Sequence, residues 1–225
     1  MVVPSEQLIY NRTLDEIAAR GPSAFYEGRI GKSSALTWGS VLTTLAASII
    51  DSVNKTGGIM TFDDLRKYRA NVKNALSIDY RGYRLYSTDA PSSGAVMLSI
   101  LNTMNQYDAE DIKDRNLTSH RFVEAMKFAY GARQELGDPD FVSNIRDYEA
   151  QMLSKEKAQQ IKARILDNMT QPITAYDPLS IYTTDSQGTS HIVTSDSSGM
   201  TVSYTTTVNL LFGSRIMTPD TGIIL

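Results

Sequence analysis

The spacing of apolar residues changes period along this chain, and this change restricts the possible folds more than any other feature of the sequence. Between Ala75 and Ser87, apolar and polar residues alternate on either side of Arg81-Gly82, which predicts a β-hairpin. After the turn at Pro91–Gly94, apolar residues recur every three or four positions, at Val96, Ile100, Leu101 and Met104. That spacing predicts an amphipathic helix. Blocks of strand and helix that alternate in this way favour an α+β layered domain.

Further elements are predicted from the same patterns. Thr61 and Asp64 have the spacing of a capping box at the start of a helix. A helix that begins at Ser119 and runs to Gly137 is expected to bury Phe122, Val123, Met126, Phe128 and Ala129. The segment Glu149–Ile165 is expected to form one polar surface helix. The remaining expectations are a helix over Asn11–Gly21, strands over Ser190–Thr194 and Met200–Val208, and an irregular connection over 167–188.

Charge and composition exclude several classes of function. The 225 residues carry 22 basic and 25 acidic side chains, so a net charge of −3 provides no basic surface for nucleic acid or an anionic membrane. The chain has no cysteine, which excludes a disulfide, a thiolate nucleophile and a cysteine zinc site. Two histidines, His120 and His191, are too few for a histidine-rich metal centre. We therefore expect no metal site and no cofactor.

The candidate nucleophile is the threonine that begins the strand near residue 190. Thr189 follows a polar segment that ends at Gly188. A threonine hydroxyl is a weak nucleophile without an adjacent base, and its own free α-amine can serve as that base. Cleavage between Gly188 and Thr189 would create the amine. Alternatively, Thr189 only begins a strand, and Thr205, Thr206 and Thr207 are there because threonine favours strands. The local sequence by itself favours this alternative.

Particular motifs follow one another along most of the chain. In the C-terminal part they are Thr189-Ser190-His191, Thr205-Thr206-Thr207-Val208-Asn209, Phe212-Gly213-Ser214 and Thr221-Gly222-Ile223. Upstream they are Gly21-Pro-Ser-Ala-Phe-Tyr-Glu-Gly28, Gly57-Gly-Ile-Met-Thr-Phe-Asp-Asp-Leu65, Tyr80-Arg-Gly-Tyr83, Ala90-Pro-Ser-Ser-Gly94 and Leu136-Gly-Asp-Pro-Asp-Phe-Val142. This order resembles the gamma-glutamyltransferases, also called gamma-glutamyl transpeptidases or glutathione hydrolases. The resemblance implies an α+β N-terminal nucleophile hydrolase, an αββα sandwich that is incomplete at both ends of this chain.

The resemblance also implies roles for individual residues. Self-cleavage between Gly188 and Thr189 would free Thr189 to attack the γ-glutamyl amide of glutathione or related donors. Water, an amino acid or a dipeptide would then accept the glutamyl group. Thr207 would orient Thr189, Thr205 would support self-cleavage or the same network, and Asn209 would help hold the glutamyl head of the donor. For Ser190 and His191 the resemblance implies no role beyond a structural one.

The same resemblance implies how the chain is divided. Residues 1–188 would be the C-terminal part of the large-subunit region, with 167–188 as a flexible linker before the processing site. Residues 189–225 would begin the small-subunit region, and the two subunits would associate after cleavage. The family's donor-binding arginine would lie upstream and its acidic motif downstream, so these 225 residues alone are expected to be an inactive fragment. Residues 31–45 interrupt the family pattern and are expected to be an insertion or a retained intron; a genuine helical extension is the alternative.

Two other hypotheses about the function remain open beside the leading one. The first is a non-catalytic fold remnant or a gene-model fragment, and the second is a relative that deacylates β-lactam side chains. Sequons at Asn11, Asn54, Asn116 and Asn168 favour a glycoprotein. The N-terminus shows no signal peptide. Together with the family, the sequons predict the secretory pathway, with an extracellular, cell-surface or vacuolar destination.

Overall fold

The computed structural model describes residues 4–26, 45–181 and 189–225, with side chains described from residue 11 onward. The described helices are α1 Pro4–Arg20, α2 Ser23–Tyr26, α3 Leu45–Lys55, α4 Phe62–Lys67, α5 Gly94–Met104, α6 Arg115–Arg133, α7 Ile145–Met152, α8 Lys155–Arg164 and α9 Ile173–Tyr176. The described strands are β1 Leu76–Tyr80, β2 Tyr83–Ser87, β3 Ser190–Ser195 and β4 Thr201–Thr206, which form two separate antiparallel pairs. The predicted insertion at 31–45, apart from Leu45, and the cleavage residue Gly188 lie outside the described residues.

The chain divides into two compact units, Met1–Ala70 with Asp185–Leu225, and Asn71–Thr184. In the first unit, α1 ends at Arg20, and the next residue, Gly21, has a φ of 68° in the left-handed region that glycine adopts most easily. The helix predicted to end there is confirmed, although it begins earlier, at Pro4. At the start of α4, the Asp64 carboxylate accepts hydrogen bonds from the backbone N–H of Thr61 at 2.8 Å and from its hydroxyl at 2.7 Å. The predicted capping box is confirmed.

The predicted hairpin of the second unit is confirmed. Strands β1 and β2 pair in antiparallel fashion, with Ile78 opposite Leu85. Between them, Arg81 has a φ of 49° and Gly82 a φ of 87°. Positive φ angles at both central residues are typical of a two-residue turn whose twist matches that of the flanking strands. The side-chain amide of Asn105 supports this turn by donating to the carbonyl of Asp79 at 3.0 Å.

The core of the second unit forms between α5 and α6, with contributions from α8 and α9. Its buried members are Val96, Ile100, Met104, Tyr107, Ala125, Phe128, Ala129, Ile161, Ile165 and Tyr176. The apolar stripe predicted for α5 is thus largely confirmed. The prediction for α6 is partly wrong, because Phe122 and Val123 are 39% and 47% exposed whereas Arg121 and Glu124 are buried. The helix also begins earlier, since the Asp114 carboxylate caps it by accepting from the backbone of Asn116 and Leu117.

The single helix predicted over Glu149–Ile165 is wrong. The structure has α7 and α8 there, and the Ser154 hydroxyl accepts a hydrogen bond from the backbone N–H of Lys157 at 3.1 Å. A serine that caps a new helix explains the break. Glu149 is also 1% exposed rather than on a polar surface. Farther along, the segment predicted as a linker over 167–188 contains α9 and the buried Tyr176, while 182–188 lie outside the described residues.

Candidate active site

The predicted nucleophile directly precedes an antiparallel hairpin made of β3 and β4. The pairs along it include His191 with Thr205 and Val193 with Ser203. Its turn is stabilised by the Asp196 carboxylate, which accepts from the Ser198 backbone at 2.8 Å and from its hydroxyl at 2.7 Å. These hydrogen bonds, the hydroxyl one above all, lower the pKa of Asp196. β-Branched residues in both strands and a rigid polar turn explain why this sequence forms a hairpin here.

The two faces of this hairpin differ in chemistry. Because side chains alternate along a strand, His191, Val193, Ser203 and Thr205 share one face, which is mainly polar. The other face carries Ile192, Val202 and Tyr204, each more than half exposed. The last pair of the hairpin is Ser190 with Thr206, so Thr189, which precedes Ser190, and Thr207, which follows Thr206, lie at the same end of the hairpin. The first face therefore carries hydroxyl groups around an imidazole, whereas the second carries three exposed large side chains among the hydroxyls of Ser190, Thr194 and Thr206.

The strand predicted over Met200–Val208 ends two residues early, at Thr206. Asn209 has a φ of 71°, in the left-handed region, and its backbone N–H donates to Oγ1 of Thr207 at 2.9 Å. Strand alternation therefore does not extend from Thr205 through Thr207 to Asn209, as an unbroken strand would require. A local turn, in which the Thr207 hydroxyl binds the backbone two residues on, brings Thr207 and Asn209 together instead.

The structure gives a position to every predicted site residue except Gly188. Thr189 is exposed and precedes β3 directly, Thr205 lies within β4, and Thr207 and Asn209 follow it. Gly188 lies outside the described residues. Hydrogen bonds join Thr207 to Asn209 and Thr205 to His191. The sequence assigned His191 only a structural role.

His191 forms hydrogen bonds with two hydroxyls of the polar face. Its Nδ1 lies 2.8 Å from Oγ1 of Thr205, and its Nε2 lies 3.1 Å from Oγ of Ser203. Both distances are those of hydrogen bonds. The signal was present in the sequence, because pairing the two predicted strands about the turn near Ser198-Gly199 places residues 191, 203 and 205 on one face. The imidazole thus fixes the central part of the polar face.

Within the described part of the chain, no cluster of three or more histidine, aspartate and glutamate side chains could hold a metal ion. The chemistry that this face offers is hydroxyl and imidazole chemistry. A serine or threonine hydroxyl there can act as a nucleophile once a base removes its proton.

Comparison with known proteins identifies the family. A profile described as Gamma-glutamyltranspeptidase matches residues 5–225. The chain belongs to the gamma-glutamyltranspeptidase family. The resemblance inferred from the ordered motifs is confirmed, and so is the α+β N-terminal nucleophile hydrolase fold class.

Relatives with names and structures agree with this family. The glutathione hydrolase proenzyme of Arthroderma benhamiae is 43% identical over 217 residues, which are 96% of this chain and 35% of that protein. The crystal structure of Helicobacter pylori gamma-glutamyltranspeptidase matches with a TM-score of 0.59 and 30% identity, over 72% of this chain and 42% of that one. The chain thus spans about a third of the length of the curated relatives it matches.

A likeness in fold extends to an acylase. Cephalosporin acylase from Bacillus halodurans matches with a TM-score of 0.58 over 100% of this chain and 44% of that one, at 23% identity. At this identity the likeness concerns the fold alone. Among the helices that the structure describes, none is long and apolar enough to cross a bilayer.

Proposed function

We propose that this chain is part of a gamma-glutamyltransferase that cleaves the γ-glutamyl amide of glutathione and related donors through a threonine acyl-enzyme. The observation that carries the proposal is the family match over residues 5–225. Within this range, Thr189 directly precedes the hairpin of β3 and β4, one face of which carries several hydroxyl groups. A relative named glutathione hydrolase proenzyme, 43% identical, supports both the donor and the processing. This chemistry requires hydroxyl and amine groups and no cofactor.

The first step is self-cleavage. The Thr189 hydroxyl attacks the carbonyl carbon of Gly188, the peptide C–N bond breaks, and an ester joins Gly188 to Oγ1 of Thr189. Water hydrolyses the ester, which leaves a carboxylate on Gly188 and a free α-amine on Thr189. Residues 1–188 then belong to the large subunit, in which the segment 167–188, with α9 inside it, precedes the cut. Residues 189–225 begin the small subunit, and the two subunits stay associated.

The second step is transfer of the glutamyl group. The Thr189 amine takes the proton of the Thr189 hydroxyl, whose oxygen attacks the γ-carbonyl of the donor. The amide C–N bond breaks, the leaving amine receives the proton, and a glutamyl ester forms on Thr189. Water, or the amine of an amino acid or dipeptide, then attacks this ester and regenerates the hydroxyl.

The neighbouring residues support these steps in different ways. Thr189 and Thr207 flank the last pair of the hairpin, Ser190 with Thr206, and their position at the same end supports a role for Thr207 in orienting the nucleophile. Thr205, in the pair next to that last one, is assigned to support self-cleavage or the same hydrogen-bond network. Asn209, held beside Thr207 by its backbone hydrogen bond, is assigned to the glutamyl head of the donor. An amide side chain suits that charged group because it both donates and accepts hydrogen bonds.

The secretory pathway is the proposed location. Its support is that the asparagines of all four sequons, Asn11, Asn54, Asn116 and Asn168, are exposed and can carry a glycan without burying it. The destination would be extracellular, cell-surface or vacuolar.

For residues 31–45 we infer an insertion or a retained intron, because they interrupt the family motifs. Sequencing transcripts across these codons tests this, and uniformly unspliced, translated message would contradict the intron.

The proposed activity is tested in a chimera in which this chain replaces the matching third of the Arthroderma benhamiae proenzyme. We expect release of p-nitroaniline from γ-glutamyl-p-nitroanilide and little release from the glutaryl analogue, which lacks the α-amino group. Preference for the glutaryl amide would instead favour the acylase reading. A chimera that folds but neither cleaves itself nor turns over either substrate would favour a non-catalytic remnant.

A further inference from the structure

We propose that His191 is a positioning residue of the threonine site, and that its Nδ1–H tautomer fixes the Thr205 hydroxyl as a hydrogen-bond donor toward the end of the hairpin that holds Thr189. The proposal rests on the proposed function, because it assigns His191 to the same reaction. It goes beyond that function by giving His191 a role and a proton position that neither the motifs nor the relatives' names supply.

The contacts hold the imidazole at both nitrogens. Nδ1 meets the Thr205 hydroxyl at 2.8 Å across the strand pair, and Nε2 meets the Ser203 hydroxyl at 3.1 Å. A ring held at both ends cannot rotate without losing a hydrogen bond. Thr205 pairs with His191 next to the last pair of the hairpin, Ser190 with Thr206, and Thr189 directly precedes that last pair. The fixed ring therefore fixes a hydroxyl close to the end of the hairpin that holds Thr189.

The tautomer decides what the Thr205 hydroxyl can do. A neutral imidazole has one N–H donor and one acceptor nitrogen. If Nδ1 carries the proton, it donates to Thr205, which keeps its own hydroxyl hydrogen for a neighbour on the face. If Nε2 carries the proton, Thr205 gives its hydrogen to Nδ1 and can only accept. The proposed role, in which the Thr205 hydroxyl keeps its hydrogen and donates it toward the end that holds Thr189, therefore requires the Nδ1–H form, with Ser203 donating to Nε2.

The second histidine is an internal control for this assignment. Nε2 of His120 lies 2.8 Å from the carbonyl oxygen of Leu166, and a carbonyl can only accept. His120 must therefore carry its proton on Nε2, the opposite tautomer. Nitrogen-15 NMR of the 225-residue chain at about pH 8, where an ordinary histidine is neutral, distinguishes the two rings. We expect one Nδ1–H and one Nε2–H histidine, and loss of the Nδ1–H form in Thr205→Val.

The effect of His191 on catalysis is measured in the chimera described above. Asn places its amide nitrogen two bonds from Cβ, as Nδ1 is, whereas Gln places its amide nitrogen three bonds away, as Nε2 is. We expect His191→Ala and His191→Gln to lower kcat on γ-glutamyl-p-nitroanilide by roughly three- to tenfold, the worth of one ordinary hydrogen bond, with KM unchanged. His191→Asn should recover most of the loss. His120→Ala, which removes a histidine far along the chain, should leave kcat unchanged.

The outcomes separate this proposal from the one on which it rests. An Nε2–H tautomer at His191, or equal kcat for the Ala and Asn variants, would overturn the positioning role while wild-type turnover upheld the proposed function. A wild-type chimera that folds but neither cleaves nor turns over would overturn the proposed function, and the role of His191 with it. If His191→Ala fails to fold, Ser203→Ala and Thr205→Val, which remove one ring partner each, decide the question by the same readouts.

Discussion

The carboxylate of Glu124, fully buried in α6, lies 2.8 Å from Nζ of Lys127 on the next turn of the same helix. The Thr170 hydroxyl donates to this carboxylate at 2.7 Å, and the Tyr176 hydroxyl donates to it as well. Burial alone would raise the pKa of Glu124, but these hydrogen bonds and the lysine charge outweigh burial and lower the pKa. The buried charge therefore joins α6 to the segment that carries α9.

Replacing Glu124 with Gln should destabilise the protein. The variant loses the charged partner of Lys127, at a cost of about 1.5 kcal/mol, the low end for a hydrogen bond to a charged group because Lys127 stays partly exposed. Because the folded pKa is lowered, this stability is present above the ordinary glutamate value of 4.5 and is lost as the pH falls through the folded pKa. Denaturant unfolding at pH 7 and at acid pH measures both effects. Equal unfolding free energies for the two proteins at pH 7 would contradict the account.

Glu149 should behave in the opposite way. It is 1% exposed, burial raises its pKa, and the Ala90 backbone N–H, which donates to it at 2.7 Å, offsets burial only in part. A carboxyl with a raised folded pKa loses folding stability as the pH rises from 4.5 through the folded pKa. Glu149→Gln keeps an acceptor for Ala90 without the charge. As the pH rises over this range, we expect the unfolding free energy of the wild type to fall relative to that of Glu149→Gln. A difference between the two proteins that stays constant at all pH values would refute this.

Gly131 is predicted to be irreplaceable in α6. A Cβ at this position would lie 2.0 Å from the carbonyl oxygen of Tyr176, far inside van der Waals contact. Alanine favours a helix over glycine by about 1 kcal/mol, so an unobstructed site would gain stability. We expect Gly131→Ala to lower the melting temperature, with exposed Ser119→Ala on the same helix as the control. A melting temperature at or above that of the wild type would show that α9 does not approach α6 so closely.

The contacts of Glu124, Glu149 and Gly131 could not be predicted from the sequence, whereas other features could. Both hairpins and α5 follow from local spacing, because their register and buried face depend on neighbours in the chain. The break between α7 and α8 depends on a single cap, Ser154, within a stretch of helix-forming residues. The burial of Glu124 and Glu149 depends on Tyr176 and Ala90, which lie more than fifty residues away. The ordered motifs identified the family, but not the hydrogen bonds of His191 or the turn at Asn209.

Asn209 and Thr206 should differ in their effect on catalysis. Thr206 pairs with Ser190 and points away from the polar face, whereas Asn209 is assigned to the charged head of the donor. In the chimera we expect Asn209→Ala to cleave itself normally yet lose kcat/KM by roughly tenfold to hundredfold, the worth of one hydrogen bond to a charged group. Thr206→Ala should leave both properties near those of the wild type. Equal losses of kcat/KM in the two variants would remove the assigned role of Asn209.

The most direct test of the central claim, that Thr189 is the nucleophile, is the intact mass of the chimera after incubation. The account predicts two fragments, with the cut between Gly188 and Thr189, in the wild type. It predicts a single uncut chain in Thr189→Ala, which lacks the hydroxyl for the acyl shift, and slow partial cleavage in Thr189→Ser, which retains one. Two fragments with the same cut in Thr189→Ala would contradict the claim.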